Sequence, residues 1–199
     1  MQINPVSESN SRKLPSLKKR PKKEEIPKIV LHKFKEEHCV LPILSTRFNQ
    51  STWEENRKYA AKIKHKSIYC APLPISEKIP HESNCAVIEM NNDANQILGI
   101  GLIKNIPHRG RYCVYGDGNY NRYNYVGNRR IDRSEMSPEE IEFIEFLDHL
   151  CFKGQGHLKR GQGLTIFPIR YLYHSLQHKK LDIVTIIREM FNSRLSLKK

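Results

Sequence analysis

Long apolar stretches are missing from this sequence. No window approaches the roughly 18 consecutive apolar residues of a membrane-spanning helix, and mean hydropathy is −0.62, so no membrane span is expected. The first 30 residues also lack the apolar core of a secretory signal, which predicts a protein that stays inside the cell. Cysteine is sparse: Cys39, Cys70, Cys85, Cys113 and Cys151 lie far apart, with no Cys-x-x-Cys pair and an odd total. That pattern excludes a disulfide framework and predicts reduced, mostly buried thiols. The nine histidines are scattered, and no Cys/His cluster has zinc spacing, so neither a metal nor another cofactor is expected. Acid is the scarcer charge, 21 Asp and Glu against 34 Lys and Arg, which leaves +13 and a pI near 9.6. Such a surplus gathers polyanions at long range, with nucleic acid the first candidate and an anionic membrane surface the second.

What is present fits one ordinary domain. At 199 residues and 38% hydrophobic content the chain can fill a single core. Residues 1–27 are Ser, Pro, Lys and Glu with almost no bulky apolar side chains, so they are expected to form a disordered basic arm ahead of a single α+β domain at 28–199. Within the arm, Lys18, Lys19, Arg20, Lys22 and Lys23 make a dense cationic run. It resembles a nuclear localisation signal or a non-specific phosphate-binding arm; a solubilising tail is the plain alternative. Residues 1–29 hold eight basic and three acidic side chains, a net of +5, which leaves +8 for the remainder.

Within the domain, Lys28–His32 is expected as a strand, and Ser51 or Thr52 with Glu54 or Glu55 caps a helix running to about Lys64. Pro72, Pro74 and Pro80 exclude helix, so Ser67–Ile75 is expected as a short strand followed by a loop. The clearest hairpin joins Ala86–Met90 to Gln96–Ile103 across a polar turn. A second is expected between Arg111–Tyr115 and Tyr120–Val126, with Asp117-Gly118 at its tip. Ser137-Pro138-Glu139-Glu140 opens an amphipathic helix, a strand follows at Leu164–Phe167, and Ile169 to about Asn192 is helical, in one or two pieces. Short strands with marginal helices predict an α+β fold: a small, curved, mostly antiparallel sheet, partly closed into a barrel, with flanking helices.

Two stretches carry functional chemistry. Between Lys104 and Arg133, the cations Lys104, Arg109, Arg111, Arg122, Arg129, Arg130 and Arg133 face only Asp117 and Asp132, interleaved with Tyr112, Tyr115, Tyr120, Tyr123 and Tyr125. Strand periodicity puts Tyr123 and Tyr125 on one face and Arg122 on the other. Rings stack on bases while arginines contact phosphates; the alternative is that half of these tyrosines are cross-strand core residues. The second stretch, Lys153–Gly163, has four glycines and three fixed cations, Lys153, Lys159 and Arg160, with His157 among them and no acid. Glycines let backbone amides approach a phosphate that the cations neutralise, although a merely flexible loop has the same composition. It is not a Walker loop, because Gln162-Gly163 stands where Lys and Ser/Thr must be. The acids Glu135, Glu139, Glu140, Glu142, Glu145 and Asp148 suit the solvated face of a helix better than a metal-dependent nuclease site. No catalytic residue is therefore expected.

Ala86 to Ile103, with its return strand Ile97-Leu98-Gly99-Ile100-Gly101-Leu102-Ile103, resembles the central hairpin of the PUA-like superfamily, which includes the EVE and YTH domains. Trp53 followed by Asn56 and Ala60-Ala61 resembles the helix that opens with a pocket tryptophan in YTH-type readers. This resemblance implies a small barrel that binds RNA or holds a modified base, but a chain with one tryptophan cannot assemble a multi-tryptophan cage. Ile88-Glu89-Met90-Asn91-Asn92, Gly118-Asn119-Tyr120-Asn121-Arg122-Tyr123 and His157-Leu158-Lys159-Arg160-Gly161 resemble an uncharacterised protein family of nucleocytoplasmic large DNA viruses. That likeness implies a viral origin, residence in the nucleus or viral factory, and viral or host protein partners, without an activity. The combined expectation is a DNA- or RNA-binding protein, favouring single strands. Its site would comprise Trp53, Arg109, Arg111, Tyr120, Arg122, Tyr123, Tyr125, Arg129, Arg130, Lys153, His157, Lys159 and Arg160. A virion-associated structural or interaction protein is the alternative, and a metal-dependent nuclease the third.

Overall fold

The computed structural model describes residues 25–154 and 156–196; the cationic run of the arm, Lys18 to Lys23, lies outside them. The chain order is α1 (Lys28–His38), β1 (Ile43–Phe48), α2 (Gln50–Lys62), β2 (Ser67–Ala71), β3 (Asn84–Asn91), β4 (Gln96–Lys104), β5 (His108–Arg109), β6 (Tyr123–Gly127), β7 (Arg129–Asp132), α3 (Pro138–Phe152), β8 (Thr165–Ile166), α4 (Ile169–Lys179) and α5 (Ile183–Ser196). Five strands form a mixed sheet in the order β7-β4-β3-β1-β8, and three form an antiparallel sheet in the order β2-β6-β5. Only β1 and β3 run parallel, so the fold is α+β and mostly antiparallel, as expected. The expected barrel is not formed. β6 passes into β7 through Asn128 alone, turning a corner between the sheets, but the two sheets stay separately hydrogen-bonded.

Strand alternation places the core on both faces of the larger sheet. Ala86, Ile88 and Met90 of β3 pack with Ile97 and Ile100 of β4 against Ile144 and Leu147 of α3 and Ile183 and Ile187 of α5. Ile97 and Ile100 share a face although three residues apart, because the register slips between Glu89 and Met90 and leaves Leu98 as an extra residue. On the other face, Leu44, Phe48, Cys85, Val87 and Ile103 meet Tyr69 of β2 and Tyr125 of β6. Ala60 of α2 covers the outside of the smaller sheet with Ile68, Cys70, Tyr112 and Val114.

The structure departs from expectation at α1, at the second hairpin and at the cap of α2, and adds β1, a strand not expected from the sequence. Lys28–His32 begins a helix, not a strand. Its β-branched Ile29-Val30 pair suggests a strand, but the following residues are helix formers paired at i,i+4, His32 with Glu36 and Lys33 with Glu37, and Phe34 is buried against Tyr173 of α4. β1 shows no alternation because it lies inside the sheet with five of its six residues buried. The second hairpin is absent: β6 pairs with β2 and β5 instead. Asp117 accepts from the Asn119 amide and starts a 3-10 turn, Gly118–Asn121. The Asn121 side chain then takes the place of a strand partner, accepting from the amides of Val114 (2.9 Å) and Tyr115 (3.1 Å) and donating to the Tyr115 carbonyl (2.6 Å). The cap of α2 also shifts, to Asn49 with Thr52.

Candidate nucleic-acid interface

A cleft of about 640 Å³ opens beyond the carboxyl ends of the parallel pair β1 and β3. α2 follows β1 at once and presents Asn49, Thr52 and Glu55; the turn after β3 adds Asn92 and Asp93; the irregular segment before β6 adds Tyr115, Asp117 and Tyr120; and Gly161 and Gly163 close the side opposite. The carboxyl ends of parallel strands are where α/β sheets leave room for ligands, because connecting segments splay apart there.

Arg47 is the cleft's fixed cation. The half-buried guanidinium donates from Nε to the Leu158 carbonyl (2.6 Å) and from Nη1 to Thr165 Oγ1 (2.7 Å) and the Ser45 carbonyl (3.5 Å). These bonds tie the glycine-rich loop to β1. Desolvation lowers the Arg47 pKa, and no carboxylate is ion-paired with it among the described residues. A side chain at Gly161 would reach within 3.3 Å of its Cζ; glycine, whose φ here is +130°, leaves the charge approachable. Asp93 and Asp117 have local roles: Asp93 Oδ2 accepts from the Gln50 amide (2.8 Å) at the start of α2, and Asp117 holds the 3-10 turn. Tyr115 and Tyr120 meet edge to face, centroids 6.4 Å apart. Burial pushes the Tyr115 hydroxyl pKa up, and that hydroxyl accepts from Asn56 Nδ2 (3.0 Å).

The residues expected to form one site are dispersed. Tyr120 lines the cleft, and the glycine-rich loop reaches it through Gly161 and Gly163. Lys159 Nζ is held by Asn95 Oδ1 (2.8 Å) and its carbonyl by Asn92 Nδ2 (3.0 Å), with Arg160 exposed beside it. Lys153 is exposed at the end of α3, and His157 carries a buried Nδ1 without a partner. Arg109, Arg111 and Arg122 are exposed, the first two lying over Tyr123 and Tyr112. Tyr123 is half-buried at the margin of the inter-sheet core. Tyr125, expected as a stacking face, is 1% exposed, and its hydroxyl accepts from the Ile75 amide (2.9 Å). Its strand face turns inward because β6 lies over the larger sheet.

Arg130 and Trp53 are likewise structural. Glu89 is wholly buried on β3; Tyr69 donates to its Oε1 (2.6 Å), Arg130 Nη2 to its Oε2 (2.7 Å), and Arg130 Nη1 to Asp132 (2.6 Å). Burial would lower the Arg130 pKa, but the two carboxylates hold it above its ordinary value. Trp53 is half-buried and packs edge-on against Phe48, with the guanidinium groups of Arg57 and Arg130 at 4.7 Å and 5.2 Å from its ring centre. The Gly-x-Gly of β4 serves this network: a Cβ at Gly101 would collide with the Tyr69 hydroxyl, and one at Gly99 would lie 2.7 Å from Arg130 Nη2.

Arg47 and Glu55 escape sequence reading; the one available signal is a lone arginine inside the otherwise uncharged run Ile43–Phe48. Of the acids weighed for the nuclease alternative, Asp148 pairs with Arg133 and Glu140 with Arg194. No group of three or more His, Cys, Asp or Glu among the described residues could hold a metal. His174 and His178, four residues apart on α4, stack with centroids 5.3 Å apart. No helix among the described residues is long and apolar enough to cross a membrane. Comparison with protein-family profiles, with curated proteins and with solved structures finds no match.

Proposed function

We propose that the protein binds single-stranded nucleic acid and seats one nucleotide in the cleft, its phosphate on Arg47 beside Gly161 and Gly163, its base against Tyr120 and Tyr115. Arg47 is the observation that carries this reading. A charge withdrawn from water is costly unless paired, and Arg47 has hydrogen-bond acceptors around it but no ion-paired carboxylate among the described residues. A phosphate oxygen would supply that charge in the geometry a guanidinium favours. The acids of the cleft suit the other half of a nucleotide, because carboxylates accept from the exocyclic amino groups of bases; Glu55, exposed on the first turns of α2, lines the cleft and is the candidate for that role.

The test is a titration of short labelled oligonucleotides by fluorescence anisotropy. Tyr120→Ala should weaken binding by about 1–3 kcal/mol, the usual worth of a stacked base, and leave thermal stability nearly unchanged. Tyr125→Ala provides the contrast, since loss of a buried ring should lower stability by about 3–5 kcal/mol. Glu55→Gln should shift preference among bases with little effect on overall affinity. If Tyr120→Ala and Glu55→Gln both bind as the parent does, the cleft is not the site.

A further inference from the structure

At the opposite end of the larger sheet, two grooves of about 350 Å³ and 360 Å³ share Asn84, Leu102 and Arg129 in their walls. Neither wall contains an Asp or Glu. His65 and Lys104 join Arg129 in the first, and Arg188 of α5 joins it in the second. The sheet register explains the clustering. Arg129 stands directly across from Leu102, and Lys104 lies two residues further along the same face of β4, with α5 packed over that face. Lys104, Arg129 and Arg188 are exposed, and their charges are not drawn into the ion pairs that hold Arg130, Arg133 and Arg194.

We infer that this acid-free groove is a second contact for the nucleic-acid backbone, so that one strand is held at both ends of the sheet. The inference rests on the nucleic-acid reading of the cleft for its ligand, but its residues are separate from the cleft's. β3 runs from Asn84 in the groove to Asn91, next to Asn92 of the cleft, a span of about 25 Å at the usual rise per residue. A very short oligonucleotide can therefore occupy only one of the two places. A backbone contact also fits the groove's charge: cations over an apolar floor of Leu41, Leu102 and Phe191, with no carboxylate in either wall to repel a phosphate. Charges on an edge strand such as β7 also discourage strand-to-strand aggregation; charge reversal would preserve that protection while abolishing phosphate binding.

The experiment compares a 4-nucleotide with a 20-nucleotide single strand on the full chain and on the K104E/R129E/R188E variant, with far-UV circular dichroism and Trp53 emission confirming the fold. For the parent, the longer strand should bind at least tenfold more tightly. The variant should lose that advantage, keep its 4-nucleotide affinity, and show a salt slope shallower by about 2, since each single-strand phosphate contact contributes roughly 0.7. Should the triple variant misfold, Arg129→Glu alone should remove part of the length advantage. An undiminished length advantage in a folded variant overturns the inference and leaves the cleft reading intact. A parent that binds only the longer strand, and loses it in the variant, sinks the cleft reading and sustains the groove. Binding to phosphatidylserine vesicles without oligonucleotide binding would assign the groove to a membrane surface and overturn both.

Discussion

Arginines in this chain have sharply different surroundings. Arg129 and Arg130 are neighbours on β7, yet strand alternation turns Arg129 to solvent and Arg130 onto Glu89. Tyr69, Glu89 and Arg130 form a satisfied buried cluster, with burial and the adjacent Glu89 both pushing the Tyr69 hydroxyl pKa upward. Breaking one partner of such a cluster strands a charge in the interior. Arg130→Ala should therefore lower unfolding free energy by about 3–5 kcal/mol, read from the urea midpoint, whereas Arg129→Ala should stay within about 0.5 kcal/mol of the parent. Equal effects would mean that Glu89 is not held as described. A run of arginines identifies a basic segment; it does not say which of them is available to a ligand.

At the level of elements, the β3–β4 hairpin is readable from its apolar runs and polar turn, but the role of its glycines is not. Gly101 has φ outside the left-handed region, so the requirement is for space: the Tyr69 hydroxyl occupies the position of the missing Cβ. Gly101→Ala should consequently destabilise the fold by about 1–3 kcal/mol, the usual penalty of overpacking, and Gly101→Ala combined with Tyr69→Phe should recover part of the loss. A double variant no better than the single one would contradict this packing. α3 offers a second case. Its capping box, Ser137 with Glu140, is legible in sequence, but Glu140 also receives a bidentate hydrogen bond from Arg194 of α5, at 2.6 and 2.7 Å. That bond holds the Glu140 pKa below its ordinary value. A depressed carboxylate stabilises the fold above its unfolded pKa, about 4.3, and the contribution fades as pH falls through the folded value. Glu140→Gln, which preserves the cap, should be about 1–2 kcal/mol less stable than the parent at pH 7; near pH 3 the two should nearly coincide. A gap constant between these pH values would remove the charge from the explanation.

For the whole molecule, positive charge and binding chemistry are distributed differently. Residues 1–29 supply +5 of +13, so deleting residues 1–27 should weaken binding to all oligonucleotides alike and flatten the salt dependence, because such contacts release counterions without reading bases. It should also reduce nuclear accumulation of a fluorescent fusion. Complete loss of binding would place the reader in the arm rather than in the folded part. Composition and local pattern by themselves determined the basic character, the dispersed thiols, the α+β class, the β3–β4 hairpin and the helix opening at Ser137, because each depends on residues near one another in the chain. Local chemistry also marked the glycine-rich loop and Tyr120 as candidates. Only the tertiary structure decided that Tyr125 and Arg130 belong to the core, that β6 pairs with β2 rather than with its neighbour in sequence, and that Arg47 lines a cleft with no carboxylate ion-paired to it among the described residues. Those outcomes turn on contacts between segments far apart in the chain, such as Arg47 with Leu158 and Glu89 with Arg130, and strand periodicity fixes which residues share a face without saying which face is covered.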